Sequence, residues 1–292
     1  MSHTFDAQNY FMTLSCKLSS KRPSAEPCGG AKSAAAGASS LLTQVSQITL
    51  TPAEASARKK KPKVSAVQLV ERTRTIRSQP KNTSPIDASK HPSLLPRQLP
   101  HAIGKKTLIL DVDETLVHSS YQPTHHYDVH LPLKVNGAVC NVYVAFRPYV
   151  KEFIQAVGPL FEVVVFTASV SMYCEPLMNA LDRERHLGSI RLFREHCSIV
   201  NGSYVKDLSL LGRSLDSVTI IDNSPVAYLF QQRNAIPITS WFDDQADDEL
   251  LQLIPVLVEL AKAPTVYEVL DNYNAMLQLQ QEITQQELAR PK

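Results

Sequence analysis

Short apolar runs alternate with longer amphipathic stretches between about residues 105 and 282 of the chain. The short runs cover 107–110, 161–166, 190–193, 218–221 and 235–238. Such runs, rich in branched residues, are typical of strands buried on both faces of a parallel sheet. The longer stretches, at about 147–157, 170–182, 250–263 and 265–282, are predicted helices. This alternation predicts an α/β fold with a parallel sheet and right-handed crossovers.

A different pattern follows the first predicted strand, between Tyr121 and Phe146. The stretch reads YDVHLPLKVNGAVCNVYVAF over 127–146, in which branched residues alternate on either side of Asn136-Gly137. Asn-Gly between alternating runs is the strongest short-range signal for a two-residue hairpin turn. The sequence therefore predicts a small antiparallel hairpin, 127–135 paired with 138–146, inserted after the first strand.

The first hundred residues differ from the rest in composition and charge. They hold 15 Lys and Arg against 5 Asp and Glu, whereas the remaining residues hold 15 against 23. Ser, Ala and Pro dominate there, and such a segment buries too little apolar surface to offset the entropy of ordering it. We expect a disordered basic arm at 1–100, a folded domain at 101–270 and a helical, Gln-rich tail at 271–292.

The basic cluster Arg58–Lys63 lies within this arm. It has the composition of a nuclear localisation signal, of a patch for nucleic acid or an acidic partner, or of a solvated charge run. The sequence contains no stretch of about 20 apolar residues, so no transmembrane helix is expected. The five cysteines are odd in number and widely spaced, which favours free thiols in a reducing compartment.

Polar residues follow three of the buried strands. Asp111 and Asp113 come after the first, and strand alternation allows both to face one side while Val112 points inward. Two adjacent carboxylates suit a hard divalent cation such as Mg²⁺ and nucleophilic chemistry at phosphorus. The alternative is a strand end followed by a helix cap at Asp113 or Thr115.

The other strand ends carry a hydroxyl and a carboxylate–amide pair. Thr167 follows the strand at 161–166, where it can bind a phosphoryl oxygen or cap a helix. Asp222 and Asn223 follow the strand at 218–221 and offer oxygen ligands to Mg²⁺, or an Asx turn before Pro225. Because parallel strands deliver their carboxyl ends to one edge, these side chains are expected to meet there.

The string KKTLILDVDETLVHSS at 105–120 resembles the first signature of the haloacid dehalogenase superfamily. Its DVDETLVHSS portion is similar to the FCP/SCP branch, the phosphatases of the RNA polymerase II C-terminal domain. Thr167, Lys206 in GSYVKDL and Asp222-Asn223 resemble the second, third and fourth signatures. The resemblance covers about residues 101–270, is closer to the small phosphatases of this branch, and implies a Rossmann-like parallel sheet with helices on both faces.

This resemblance implies a role for each matching residue. Asp111 is implied to be the nucleophile that forms an aspartyl-phosphate, and Asp113 the general acid and base. Mg²⁺ is implied as the cofactor, bound by the Asp111 side chain, the Asp113 carbonyl and Asn223. The resemblance assigns Lys206 and Thr167 to the remaining phosphoryl oxygens.

Asp222 and Thr115 are implied to lie behind the residues that contact the phosphate and the metal. Asp222 is expected to orient Lys206 or a metal-bound water.

The spacing of the motifs also bears on the substrate. The hairpin uses most of the residues between Ser120 and Arg147, and a helix and a short strand fill 167–206, so no large cap domain is expected. An open site admits a polypeptide, which favours a phosphoprotein such as the RNA polymerase II C-terminal domain, with no direct contact between the catalytic domain and nucleic acid. These expectations imply a nuclear protein, or otherwise a cytoplasmic one.

In the resembled branch, the hairpin forms an apolar pocket for a proline beside the phosphoserine. The positions that match are Tyr121, Leu133, Val135, Val142 and Val170. Arg194 is expected to contact the peptide backbone or a second phosphate. The alternative is that the apolar side chains only pack the hairpin against the domain.

Two other functions stay open from the sequence. One is a non-catalytic phosphoprotein-binding or scaffold member of the family. The other is a capless enzyme that acts on small phosphate esters or lipids. The presence of all the catalytic side chains argues against the first.

Overall fold

The computed structural model describes residues 84–135 and 138–288. Its strands and α-helices are numbered here in chain order. The strands are β1 (Thr107–Leu110), β2 (Val117–Ser120), β3 (Val129–Val135), β4 (Ala138–Phe146), β5 (Glu162–Phe166), β6 (Arg191–Leu192), β7 (Ser198–Val200), β8 (Ser203–Val205), β9 (Val218–Asp222) and β10 (Ala235–Pro237). The α-helices are α1 (Val150–Val157), α2 (Ser171–Leu181), α3 (Glu249–Lys262) and α4 (Tyr267–Leu288).

The central sheet has the strand order β10-β9-β1-β5-β6, and all of its pairs are parallel. This confirms the predicted parallel α/β sheet, with β1 in the middle between β5 and β9. Leu108 and Leu110 pack into one core cluster, whereas Ile109 packs into another. Because side chains alternate along a strand, β1 supplies both faces of the sheet, and this explains why it is a continuous apolar run.

Helical segments cover both faces, but in different forms. All four α-helices contribute buried side chains to the cluster that contains Leu108. On the face of Ile109 lie the 3₁₀ helix Leu208–Leu211, the turn around Tyr228 and Leu95. The second face is therefore covered by short turns.

The hairpin insertion lies in a separate antiparallel sheet with the order β2-β4-β3. The predicted pairing of 127–135 with 138–146 appears as β3 and β4, in a register that pairs Leu133 with Cys140. The predicted turn at Asn136-Gly137 lies outside the described residues. Strand β2 is an addition that the sequence did not indicate, and its pairing with β4 ties the hairpin to the residues that follow Asp113.

Both predicted domain boundaries need correction. Leu95, predicted to lie in a disordered arm that ends at residue 100, is 4% exposed, and the Leu94 amide donates to the carbonyl of Leu210. At the other end, helix α4 runs through the predicted boundary at 270, and Ala275 is buried. Buried apolar side chains outside the motifs, such as Leu95 and Leu279, extend the core in both directions. Residues 1–83, which include the basic cluster, and 289–292 lie outside the described residues.

No helix in the described ranges is long and apolar enough to cross a membrane.

Replacing Leu95 by alanine should lower the free energy of unfolding by about 2–4 kcal/mol, because a buried leucine leaves a cavity when it is truncated. Leu99, in the same segment, is 40% exposed and provides a matched control, so Leu99→Ala should change stability much less. Thermal denaturation of both variants measures the difference. Equal small shifts in Tm would show that residues 94–95 do not stabilise the domain.

Candidate active site

The predicted site residues meet at the carboxyl edge of the central sheet. Asp111 follows β1, Thr167 follows β5, and Asp222 ends β9, so the three come from adjacent strands. The amide of Asp111 donates to the carbonyl of Ile221 at 3.1 Å, which extends the pairing of β1 and β9 up to the first aspartate. This is the edge where open α/β sheets bind their ligands.

A tight loop turns the chain after Asp111. The carbonyl of Val112 accepts hydrogen bonds from the amides of Leu116 at 2.8 Å and Val117 at 3.2 Å. Glu114 has a φ of 56°, in the left-handed region that a non-glycine residue adopts only when its surroundings hold it there. The Glu114 carbonyl accepts from the amide of Trp241 at 2.8 Å. The loop is thereby fixed at both ends, and the two aspartates have defined directions.

The ammonium of Lys206 lies between two carboxylates. Its Nζ donates to Asp111 Oδ1 and to Asp222 Oδ2, each at 2.6 Å, and the side chain is 2% exposed. Burial acts to lower the pKa of Lys206, but the charges of Asp111 and Asp222 outweigh it and raise the pKa above its ordinary value. Burial and the charge of Asp111 raise the pKa of Asp222. Lys206 therefore stays protonated and orients Oδ1 of Asp111.

Asp113 is held by a separate set of hydroxyl groups. Its Oδ2 accepts from Ser169 Oγ at 2.7 Å and from Thr167 Oγ1 at 3.5 Å, and its Oδ1 accepts from the hydroxyl of Tyr173 at 2.6 Å. Burial and the charge of Glu114 raise the pKa of Asp113 to about 7, although the hydrogen bonds from Tyr173 and Ser169 oppose this shift. Asp111 and Asp113 thus differ in environment, one beside an ammonium and one among neutral donors, as suits an anionic nucleophile and a proton carrier.

Ser169 and Tyr173 are site residues that the sequence analysis missed. They are four positions apart, at the end of the β5 loop and in the first turns of α2. A second hydroxyl two positions after Thr167, at the end of the same buried strand, is the signal that could have identified Ser169. Tyr173 lies within the following helix and carries no comparable local signal. Thr167 Oγ1 accepts from the Ser169 amide at 3.0 Å and does not cap α2, whose N-cap is Val170.

Thr115 joins the first and fourth motifs. Its hydroxyl lies 2.8 Å from Asp111 Oδ2 and 3.3 Å from Asn223 Oδ1. The amide nitrogen of Asn223 donates to Ser240 Oγ at 2.9 Å, which turns its oxygen towards Asp111. Asp111 and Asn223 therefore present oxygen atoms to the same small region.

These oxygen atoms fit a hard cation such as Mg²⁺, which binds one or two carboxylates and completes its shell with water and phosphate. Within the described ranges, no three His, Cys, Asp or Glu side chains are grouped so that they could hold a metal. A cation at this edge would therefore depend on Asp111, Asn223 and backbone or water oxygens, and a site with few protein ligands is typical of Mg²⁺.

The side chain of Arg147 supports the loop from the opposite side. It is 1% exposed, and it donates to the carbonyls of Thr115 at 3.2 Å and Thr239 at 3.0 Å. Its remaining donors form a two-pronged pair with Asp247 at 2.8 Å and a bond to Glu249 at 2.8 Å. Asp247 and Glu249 thus bind an arginine that anchors the loop after β1.

A small apolar pocket lies between the antiparallel sheet and the start of α2. Its lining includes all five predicted pocket residues, Tyr121, Leu133, Val135, Val142 and Val170, together with Cys140, Met172 and Tyr173. Tyr173 belongs both to this lining and to the hydrogen bonds of Asp113, so one side chain connects the pocket to the second aspartate.

Arg194 lies near the site but outside the apolar pocket. Its Nε donates to the carbonyl of Ala168 at 2.6 Å, and its guanidinium lies 5.0 Å from the centre of the Tyr204 ring. The side chain is therefore placed beside the Thr167–Ser169 loop, where it supports the backbone that carries two donors to Asp113.

The parallel sheet with this carboxylate–lysine cluster at its edge has the architecture of the haloacid dehalogenase superfamily. Within that class, the chain belongs to the family described as NLI interacting factor-like phosphatase, whose model matches residues 106–267. This assignment confirms the family that the sequence motifs indicate.

Individual relatives share about half of the matched residues. The chain is 51% identical over 180 residues to the "Probable C-terminal domain small phosphatase" of Dictyostelium discoideum. This match covers 62% of this chain and 58% of that protein. It is 48% identical over 182 residues to the human "Carboxy-terminal domain RNA polymerase II polypeptide A small phosphatase 2", covering 62% and 67% of the two chains. The match thus spans less than two thirds of the Dictyostelium relative. A solved structure, "The Structure of Fcp1, an essential RNA polymerase II CTD phosphatase", is similar with a TM-score of 0.42 and 18% identity, over 59% of this chain and 54% of that one.

Replacing Arg147 by alanine should cost about 3–5 kcal/mol of folding free energy, because Asp247 and Glu249 would lose their buried partner. The side chains of Lys90 and Asp87 are both exposed in their ion pair, so Lys90→Ala should change stability much less. Urea denaturation of the two variants tests this contrast. If the two costs were similar, Arg147 would not be the anchor of the loop.

Proposed function

We propose that the chain is a Mg²⁺-dependent protein serine/threonine phosphatase that acts through an aspartyl-phosphate, on Ser-Pro phosphopeptides such as those of the RNA polymerase II C-terminal domain. The observation that carries the proposal is the contrast between the two aspartates: Lys206 orients Asp111, and neutral hydroxyls hold Asp113 beside an apolar pocket. The family match supports a phosphatase, and the names of the relatives support this substrate class.

In the first step, Asp111 Oδ2, the oxygen next to the Thr115 hydroxyl, attacks the phosphorus of a phosphoserine or phosphothreonine. The new bond joins this oxygen to phosphorus, and the bond between phosphorus and the serine oxygen breaks. Asp113 gives its proton to that departing oxygen, which leaves as a neutral hydroxyl. The bonds from Ser169 and Tyr173 stabilise the carboxylate that remains on Asp113.

In the second step, water attacks the phosphorus of the aspartyl-phosphate. Asp113 takes a proton from this water, the bond between phosphorus and Asp111 breaks, and inorganic phosphate leaves. Both aspartates then return to their starting states, so Asp113 acts as acid and base in turn.

The remaining residues balance the charge of the phosphoryl group. Lys206 and Thr167 donate to its oxygens, and Asp222 keeps Lys206 in place from behind. Asp111, the Asp113 carbonyl and Asn223 would hold Mg²⁺, with Thr115 between the two side chains. When bound, Mg²⁺ supplies positive charge that reduces the repulsion between the nucleophile and the phosphoryl oxygens.

The open edge favours a polypeptide over a metabolite. In the described part of the chain, the insertion between Ser120 and Arg147 consists of the small sheet, and no covering domain encloses the aspartates. The proposal involves no contact between the catalytic domain and nucleic acid. An RNA polymerase II substrate also implies a nuclear protein, for which the basic cluster at 58–63 is a candidate signal.

A capless phosphatase of small esters or lipids is the second candidate, favoured by the same open edge. Hydrolysis of a Ser-Pro phosphopeptide and of small phosphate esters, with and without Mg²⁺, separates the candidates. A higher kcat/KM for the peptide supports the proposal. Turnover of esters alone would favour the second candidate, and binding of the peptide without turnover would indicate a scaffold protein.

Asp111→Asn should abolish turnover, because an amide is not a useful nucleophile at phosphorus. Asp113→Asn should lower kcat by roughly 10²–10⁴ through the loss of proton transfer. Circular dichroism should confirm that both variants fold. Near-normal activity of either variant would exclude the proposed mechanism.

Asn223 and Lys206 should respond differently to metal concentration. Asn223→Ala should raise the Mg²⁺ concentration needed for half-maximal activity, with partial rescue by excess Mg²⁺. Lys206→Ala should lower kcat by roughly 10²–10³, as for the loss of one donor to the transition state, without such rescue. Mg²⁺ titrations of both variants test the roles, and identical responses would contradict them.

Leu133→Asp should raise the KM for a Ser-Pro phosphopeptide by about 10- to 100-fold, because burying one proline-sized group contributes roughly 1–3 kcal/mol. The same variant should leave hydrolysis of p-nitrophenyl phosphate nearly unchanged. Val139, on the same hairpin, is 60% exposed and does not line the pocket, so Val139→Asp is a matched control. Equal losses on both substrates would mean that Leu133 only packs the hairpin.

A further inference from the structure

The segment at residues 84–95, here called the docked segment, begins with a Ser-Pro pair. The hydroxyl of Ser84 donates to Asp207 Oδ2 at 2.5 Å, and the amide of Ile86 donates to Ser84 Oγ at 3.1 Å. Pro85 is exposed and Ser84 is partly exposed. The pair thus lies at the surface, with the serine hydroxyl turned towards the domain.

Asp207 directly follows Lys206 and is 1% exposed. Its Oδ1 accepts from the amide of Ser209 at 3.0 Å and from Gln231 Nε2 at 2.9 Å. The same carboxylate thus fixes the turn after the catalytic lysine with one oxygen and receives Ser84 with the other. Contact between the docked segment and the domain therefore reaches the residue next to Lys206.

The rest of the docked segment is held by a small number of contacts. The Leu94 amide donates to the carbonyl of Leu210, and Ser93 Oγ to that of Leu211, each at 2.9 Å. Leu95 is its one fully buried apolar side chain. A segment attached this way opens with a free energy well below that of the whole domain.

We propose that Ser84 is a phosphorylation site for a proline-directed serine/threonine kinase, and that its phosphate releases the docked segment from the domain. A serine followed by an exposed proline is the acceptor pattern of that kinase class. In the reaction, Ser84 Oγ attacks the γ-phosphorus of ATP, a new O–P bond forms, and the bond to the bridging oxygen breaks. ADP leaves, and the hydroxyl proton passes to the kinase. The inference does not depend on the proposed phosphatase activity.

The release follows from charge. A phosphoserine carries about −1.5 to −2 charges at neutral pH, and beside a carboxylate it acts by repulsion. Ser84 also ceases to be a hydroxyl donor, so the buried Asp207 loses a hydrogen bond and gains a like charge at the same position. The contacts of Ser93, Leu94 and Leu95 then carry more of the attachment of the segment.

The test uses the full chain with Asp111→Asn, so that no phosphatase activity of the protein removes the phosphate. After treatment with a purified proline-directed kinase and ATP, mass spectrometry should locate phosphate on Ser84, and Ser84→Ala should lose that signal. Hydrogen exchange of the Leu94 amide should become at least tenfold faster. Absence of phosphate on Ser84 would overturn the proposal, as would phosphate on Ser84 with unchanged exchange at Leu94.

Charge variants isolate the physical cause. Ser84→Glu should accelerate exchange at Leu94, whereas Ser89→Glu should not, because the Ser89 hydroxyl bonds to Asp87 within the segment. Asp207→Asn combined with Ser84→Glu should restore slower exchange by removing the like charge. Equal effects of the two glutamates, or no recovery in the double variant, would contradict repulsion at Asp207.

Discussion

The active site depends on the buried ion pairs that the ammonium of Lys206 forms with two carboxylates. Two carboxylates at the edge of one sheet repel each other, and in a water-poor site that repulsion is large unless a cation lies between them. Lys206 provides this cation for Asp111 and Asp222, and it arrives from a loop between β8 and β9. The ends of β1 and β9, and with them the proposed nucleophile Asp111, are therefore held by bonds to one nitrogen atom, Lys206 Nζ.

Asp113 is held by neutral hydroxyl groups and not by a cation, so the two aspartates have different environments. Hydroxyl groups from the β5 loop and α2 hold Asp113, and one of them, Tyr173, also lines the apolar pocket. A substrate side chain in that pocket would therefore lie against the residue that orients the proton carrier. Under the proposed mechanism, Tyr173 would take part in both recognition and proton transfer, which would connect the small sheet to the reaction.

The central sheet and most of the active-site residues could be predicted from the sequence, because the polar residues that end a buried strand can be recognised after its apolar run. Asp111, Thr167 and Asn223 each follow an apolar run, and parallel strands bring such residues to one edge. Contacts that depend on tertiary packing carry no such local signal. In the sequence, Arg147 is an ordinary charged residue before a helix, and only the fold brings Asp247 to it. Leu95 is likewise one leucine in a proline-rich segment, and only the fold shows that it is buried against the sheet. Strand β2 was missed for the same reason, since its pairing with β4 depends on the turn of the loop after Asp113.

The order of these parts along the chain has a consequence for synthesis on the ribosome. The cation that balances Asp111 lies 95 residues after it, and the carboxylates that hold Arg147 lie about 100 residues beyond that arginine. At a translation rate of about 5–20 residues per second, Asp111 waits roughly 5–20 seconds for the lysine that pairs with it. During that interval β5 is translated but β9 is not, so the first strand still lacks one of its two neighbours in the sheet. The sheet can close around its centre only after its last neighbours have been translated.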